Sequence, residues 1–299
     1  MKGLKKWLKG GDIWLDFIIY PFMTFVFVVM LYPFLNVAAL AFNESRDAVR
    51  GGIHIWPREF TIANFARMIE FPNLPRAAFN SVLRTVVGTA IGVILTSLTS
   101  YVLSRKDFVC RKLFTILFTV SMYVSGGLIP FFLLIRGLNM MDSFAVYIIP
   151  GVIMVWCVIL MRTFMDTLPD SLQESAMIDG ASDFTIYSRI IMPLCMPSIA
   201  TVVLFYSVAH WNDWWTTYIF NPRSPHLSVL QFELQRILQD TARAADGMTG
   251  DDMMARVRAI TPRSLQMAIT VVVTVPIILV YPFIQKYLIK GMLVGSVKG

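Results

Sequence analysis

The sequence predicts an all-α membrane protein with six transmembrane helices, and three observations lead there. The chain of 299 residues is 56% hydrophobic and only 15% charged, against about 25% charged residues in a typical soluble domain, which excludes a water-soluble monomer. Six stretches free of Asp, Glu, Lys and Arg, at 17–43, 85–104, 113–135, 143–161, 190–212 and 264–285, each run for 19 residues or more. That is close to the ~20 apolar residues a helix needs to span a bilayer. Alternating ten-residue strand patterns are absent, so an outer-membrane barrel is excluded and helices remain as the way to satisfy backbone polar groups in lipid.

Taken in order, the spans are expected at about 16–42, 78–103, 112–135, 143–164, 197–220 and 264–288, within a single membrane domain covering 1–299. The opening MKGLKKWLKG resembles the basic start of a signal peptide, but the apolar run after it is too long and lacks a small-residue cleavage site, so it is expected to stay as an anchoring first helix. The second and third spans are joined by a short basic segment with Arg105, Lys106, Arg111 and Lys112. All nine lysines (Lys2, Lys5, Lys6, Lys9, Lys106, Lys112, Lys286, Lys290 and Lys298) fall on the side shared by both termini. The positive-inside rule makes that side cytoplasmic. The opposite loops, 43–76 and 221–263, hold five and six arginines, but these are diluted over long segments and nearly balanced by acids. Topology thus accounts for the net charge of +7, and no nucleic acid is called for. Prolines and glycines recur inside the spans, as in Ser125-Gly126-Gly127 with Pro130, and in Pro276 and Pro282. They read either as ordinary kinks or as bends beside a translocation path.

Chemistry is hard to assemble from this chain. Cys110, Cys157 and Cys195 are too scattered for a disulfide framework or a metal site, and His54, His210 and His226 form no HExxH. The expectation is no metal, no catalytic residue and no enzyme activity. No phosphate-binding GxxxxGK[ST] occurs either, so any ATP is hydrolysed elsewhere.

The loop at 166–197 is the most informative part. From Arg162 to Pro197 two arginines face Asp166, Asp170, Glu174, Asp179 and Asp183, a formal charge of −3 in a basic protein. Anionic lipid head groups repel such a segment. Pro169 precedes Ser171-x-x-Glu174, which reads as a capping box, and the helix it opens should stop at Gly180. A second short helix is expected from Ser182, with Phe184, Tyr187, Ile190 and Ile191 forming an apolar stripe up to Pro193. A stripe held outside the membrane asks for a partner groove.

The run ESAMIDGASDFTIYSRIIMP resembles the signature loop of ABC importer permeases: EAA, three residues, G, nine residues, I-x-L-P. Glu174, Ala176, Gly180, Ile190 and Pro193 fall at that spacing, while Ser175 replaces the middle Ala and Met192 the Leu. IIMPLCMPSIA, the cluster at 210–214, GGLIP and the ending YPFIQKYLIKGMLVGSVKG look like the oligosaccharide-importing, maltose-type branch, leaning towards permeases for plant or algal polysaccharide fragments. The resemblance covers nearly everything from about residue 60. It implies the type I ABC importer permease fold in a bacterial cytoplasmic membrane. It also implies as partners a second permease (a heterodimer), two ATPase subunits that bind ATP and Mg, an extracytoplasmic solute-binding protein and an oligosaccharide, with no cofactor held by this chain. By the same resemblance Glu174, Ala176, Asp179, Gly180, Ala181, Phe184, Tyr187, Ile190 and Pro193 couple to the ATPases, and the tail Ser296, Val297, Lys298 and Gly299 reaches between them.

Ionisable groups within spans are functional candidates by default. Arg84 and Asp213 lie at matching depths, about 10 Å inside the outer ends of their spans at ~1.5 Å per residue, and are expected either to pair or face an aqueous path together, or to snorkel separately. Trp211, Trp214, Trp215 and Tyr218 share one face of an uninterrupted helix, with Asn212 and Asp213 rotated from it. They read as an interfacial aromatic belt or as sugar contacts, since indole stacks on the apolar face of a pyranose. The outer loop 221–263 carries a further stripe of Leu227, Leu230, Leu234, Ile237 and Leu238, for packing on the bundle or for docking to the solute-binding protein. The alternative function, a secondary active transporter, needs midplane coupling groups and an inverted repeat, and neither is visible.

Overall fold

The computed structural model describes residues 13–48, 50–70, 73–246 and 262–295, which are helical apart from turns and an isolated bridge between Asn43 and Phe60. The helices are α1 (Ile13–Ala41), α2 (Ser45–Ala48), α3 (Ala63–Glu70), α4 (Leu74–Ser104), α5 (Arg111–Tyr123), α6 (Leu128–Gly137), α7 (Val155–Met165), α8 (Ser171–Ile178), α9 (Asp183–Leu194), α10 (Met196–Asn212), α11 (Trp215–Phe220), α12 (Leu230–Asp246) and α13 (Pro262–Gly295). The chain divides into two compact units, residues 1–70 with 237–272 and residues 71–236 with 273–299.

In the first unit α1 is apolar and bare: Phe17–Ala41 is long enough to cross a membrane, and side chains such as Phe17 and Phe22 are exposed. Its last turn runs into a knot of buried asparagines. The Asn43 carboxamide accepts from the backbone N–H groups of Arg58 and Glu59 at 2.8 and 3.0 Å and donates to Asp47. Asn64 donates to the carbonyls of Ala41 and Asn43, both at 2.8 Å. Each buried polar group is thereby satisfied, and the knot fixes how the chain leaves the helix.

The second unit is organised around α4. This helix has no proline after Pro75, and between Leu74 and Ala77 at one end and Tyr101 and Leu103 at the other the residues it buries are small or polar: Asn80, Ser81, Arg84, Gly88, Gly92, Thr96, Ser97 and Ser100. Val82, Val86, Ile94 and Val102 are exposed instead. Such a pattern suits lipid, where apolar side chains gain nothing by leaving the hydrocarbon and helices associate through close packing and hydrogen bonds. Gly88 and Gly92 form the groove in which α10 lies: a Cβ at Gly88 would come within 2.5 Å of His210 Nε2, and one at Gly92 within 2.4 Å of Tyr206 Cε1. Above the glycines, Tyr206 shares a hydrogen bond with Thr96 and accepts from the Met154 N–H, both at 2.7 Å. Ser100 donates to the Val158 carbonyl of α7 at 3.1 Å.

The expected third, fourth and fifth spans are not continuous rods. α5 and α6 meet at 115°, and the 3₁₀ turns over Phe144–Gly151 meet α7 at 45°. The breaks have local causes: Gly127 takes φ +83° with Pro130 just beyond it, and Pro150-Gly151 precedes α7. α9 and α10 meet at 83°, with Pro193 and Pro197 on either side of Cys195. The expected fifth span, 197–220, begins after that bend and is broken once, between α10 and α11 at Asp213-Trp214.

Candidate functional site

Two regions of the second unit hold the predicted site residues. The first is the loop 166–197. Gly180 adopts φ +80° and closes α8 as expected: the Ala181 N–H returns to the Ala176 carbonyl at 2.9 Å and the Gly180 N–H to that of Met177 at 3.0 Å, the paired bonds of a glycine-ended helix. Ser182 caps α9 by accepting from the Thr185 N–H at 3.3 Å. The capping box at Ser171–Glu174 does not form. Asp170 stands at the N-cap without a side-chain bond, because the chain is already helical there, and it pairs with Lys106 instead.

The expected stripe is also corrected. Tyr187 and Ile191 are buried with Ala176, Ile186, Met161 and Tyr206 in the protein's own core, and Ala181 and Ile190 pack against that core. The groove for the stripe is therefore supplied by α4, α7, α8 and α10. The middle of α9, Ile186–Ile191, is wound as a π-helix, a form that recurs at functional positions. Tyr187 shares a 2.6 Å hydrogen bond with Ser97 of α4. What remains free for a partner is an outer edge: Glu174, Asp179, Gly180 and Pro193 are exposed, as are Ile178 (87%) and Phe184 (71%).

The second region surrounds Arg84, whose side chain is 2% exposed. Arg84 and Asp213 do pair: Nη2 meets the carboxylate, and Nη1 donates to the Asp213 carbonyl at 2.7 Å. Asp213 also accepts from the backbone and hydroxyl of Thr216, at 3.1 and 2.6 Å, and so caps α11 after the break. The guanidinium lies 4.7 Å from the centre of the Tyr147 ring. Beside the pair is a cavity of about 330 Å³ lined by Phe131, Tyr147, His210, Asp213 and Phe220 among others, at the small end of ligand sites.

The tryptophans lie elsewhere. Because the helix breaks at Asp213, Trp211 is separated from the expected aromatic face, and its indole N–H bonds the Val273 carbonyl at 2.9 Å. Trp214, Trp215 and Tyr218 pack edge-on or tilted against one another with ring centres 5.4 to 6.1 Å apart. Neither they nor Asn212 line the cavity. Its aromatic walls, Phe131, Tyr147 and Phe220, carry no signal in the sequence, where nothing distinguishes them from other apolar positions. Of the outer stripe, Leu230 and Leu234 are buried, and the Leu230 N–H bonds Ser81 at 2.8 Å. That half therefore packs on the protein itself. The tail Ser296, Val297, Lys298 and Gly299 lies outside the described residues, and among those described no group of acids, histidines and cysteines could hold a metal.

Residues 88–294 match the family described as binding-protein-dependent transport system inner membrane component. The chain is 35% identical over 287 residues to the polygalacturonan/rhamnogalacturonan transport system permease protein YtcP of Bacillus subtilis, covering 95% of this chain and 98% of that one. It is 27% identical over 292 residues to the arabinooligosaccharides transport system permease protein AraQ of Halalkalibacterium halodurans, covering 96% of each. A chain from the crystal structure of a bacterial ABC transporter that imports the acidic polysaccharide alginate superposes with a TM-score of 0.82 at 23% identity, over 92% of this chain and 97% of that one, and so has the same fold. The protein belongs to the binding-protein-dependent transport system inner membrane component family and is a membrane-spanning permease of an ABC importer.

Proposed function

We propose that the chain is one half of a heterodimeric permease that imports oligosaccharides, among them fragments of plant or algal polysaccharide, across the bacterial cytoplasmic membrane. The sugar assignment draws on the relatives named for polygalacturonan, rhamnogalacturonan and arabino-oligosaccharides, each covered over almost its whole length. The cavity beside Arg84 and Asp213 then belongs to the sugar path, with Phe131, Tyr147 and Phe220 as stacking walls and Asp213 as acceptor for hydroxyls. A solute-binding protein delivers the sugar from outside. Both termini are cytoplasmic, on the side of all nine lysines, and Ser296 to Gly299 reach towards the ATPases. ATP and Mg are bound by two partner ATPases, while this chain holds no cofactor and carries out no chemistry.

The observation that carries the coupling part is the loop, in which one face is bolted into the core and the other presents Glu174, Ile178 and Phe184 to the outside. That edge is what an ATPase groove would receive. The test is reconstitution with the second permease, the ATPase and the binding protein in nanodiscs. Binding protein loaded with oligogalacturonides, rhamnogalacturonan fragments or arabino-oligosaccharides should stimulate ATP hydrolysis several-fold over the empty form. Stimulation by none of these sugars, or failure of an ATPase to copurify, would sink the reading.

A further inference from the structure

Several contacts tie the loop to α4 and the segment just after it, and two of them bear on the angle between its helices. One is the Tyr187–Ser97 hydrogen bond inside the core. The other is Arg105, the residue that ends α4. Its guanidinium forks onto the Asp107 carboxylate, with Nε donating to Oδ1 at 2.8 Å and Nη2 to Oδ2 at 2.7 Å. This leaves Nη1 free to reach Gln173 Oε1 of α8 at 3.2 Å and Asp183 Oδ1, at the start of α9, at 3.3 Å. A single nitrogen therefore touches both short helices, on either side of Gly180. The Arg105 side chain is 13% exposed, whereas Asp107 and Asp183 are 68% and 75% exposed.

We infer that Arg105 is a positioning residue for transport, which sets the angle between α8 and α9 and holds the pair to the end of α4. The inference rests on the reading of 166–197 as the coupling element. Between the two helices the backbone is a short link with a glycine at positive φ, closed by the Ala181–Ala176 and Gly180–Met177 bonds, and α8 buries only Ala176, so its side-chain contacts decide how firmly the pair is held. Isolated ion pairs at a surface hold little, but a guanidinium already oriented by a bidentate carboxylate is a rigid fork. Positive charge is not what the place lacks, because Lys106 is next to it and pairs with Asp170. Planar geometry is what Arg105 adds, so lysine should not replace it. With the clamp in place, a push on the exposed edge moves both helices and α4 together; without it, α8 yields about Gly180 and the push is lost.

The experiment uses the assembled importer in a Cys110→Ser background, with spin labels at the exposed positions Ser175 and Arg189 of α8 and α9. Arg105→Ala should broaden the distance distribution between the labels. It should leave ATP hydrolysis running while sugar imported per ATP falls roughly 5-fold or more, a typical size for coupling between sites. Arg105→Lys should recover less than half of that ratio, whereas a purely charge-based role would be restored by it. An unchanged distance distribution together with a wild-type ratio in Arg105→Ala overturns the inference. Should Arg105→Ala fail to assemble, Gln173→Leu with Asp183→Ala removes both acceptors that the loop offers Nη1 and keeps the Asp107 fork, and the same two outcomes decide. Absence of sugar-dependent ATP hydrolysis in the unaltered complex would instead strike the transport reading itself.

Discussion

Gly92 offers a sharp test of how α4 and α10 are held together. An alanine there places its Cβ 2.4 Å from Tyr206 Cε1, roughly 1 Å inside the ~3.5 Å at which carbon atoms rest against each other. Tyr206 has nowhere to go: it is fully buried, and its hydroxyl is engaged with Thr96, Met154 and the Val152 carbonyl. Either the helices part by about an ångström, or the ring turns and gives up those bonds. Overpacking of this kind costs about 1–3 kcal/mol, and each hydrogen bond lost adds about 1 kcal/mol. The sum of roughly 2–4 kcal/mol corresponds to a fall in Tm of about 3–6 °C for a chain of this size. Thermal unfolding of the purified complex, followed by size-exclusion of heated samples, measures it directly. Gly137→Ala is the control, since a Cβ there meets nothing within 4 Å. The reasoning is refuted if Gly92→Ala unfolds within about 1 °C of the unaltered protein, an interval smaller than one lost hydrogen bond would produce.

Three further outcomes are expected. At Gly180 a Cβ has open space, so the cost of substitution comes from φ +80° alone: Gly180→Val should abolish most sugar uptake with membrane insertion intact, Gly180→Asn should retain much of it because Asn tolerates that conformation, and equal uptake by the two variants would contradict this. Arg84→Met leaves the Asp213 carboxylate, 29% exposed, without its counter-charge and should lower stability by about 1–3 kcal/mol, read as loss of monodisperse protein on solubilisation; Arg84→Met with Asp213→Leu should recover most of it, and a double variant as poor as the single one would deny the pairing. The hydrogen bond from Arg105 holds the Asp107 carboxyl below its ordinary range. A lowered carboxylate contributes its stabilisation fully above the unfolded value of about 3.9 and loses it as pH falls through the folded value, so label distances across the loop should stay constant from pH 7 to about 5 and broaden only below about 4. Broadening that sets in near pH 6 would point to another group.

How much was legible follows from what each signal measures. Runs without charge report transfer into lipid, so they located the apolar stretches but said nothing of where a helix turns inside one. The break at Asp213-Trp214 depends on a carboxylate finding Thr216 and Arg84 at once, and Arg84 is distant in sequence. Periodicity found the stripe on α9 yet could not tell whose groove receives it, since buried and docking faces look alike. The turn at Gly180 was legible because its cause is local. The depth match of Arg84 and Asp213 succeeded because charges in lipid have few ways to be satisfied. The cavity's aromatic walls were beyond reach, since Phe131, Tyr147 and Phe220 come from three separate segments.

The distribution of breaks bears on how such a subunit can move. α4 is unbroken from Leu74 to Ser104, gripped by α10 through Gly88 and Gly92, and it carries Arg84 of the cavity and, just past its end, Arg105 of the loop. The two positions are about 32 Å apart at 1.5 Å per residue. A helix held along its length this way transmits displacement and does not absorb it, so whatever moves the loop moves the wall of the cavity as well. The compliant points are elsewhere: Ser125-Gly126-Gly127 between α5 and α6, Pro150-Gly151 before α7, and Cys195 between two prolines. Each lies where backbone hydrogen bonding is already interrupted, so a change of angle there breaks few bonds that the rest of the bundle relies on. A change of angle at these points leaves the α4–α10 interlock intact, so that pair is the stiff part of the second unit and the bends lie around it.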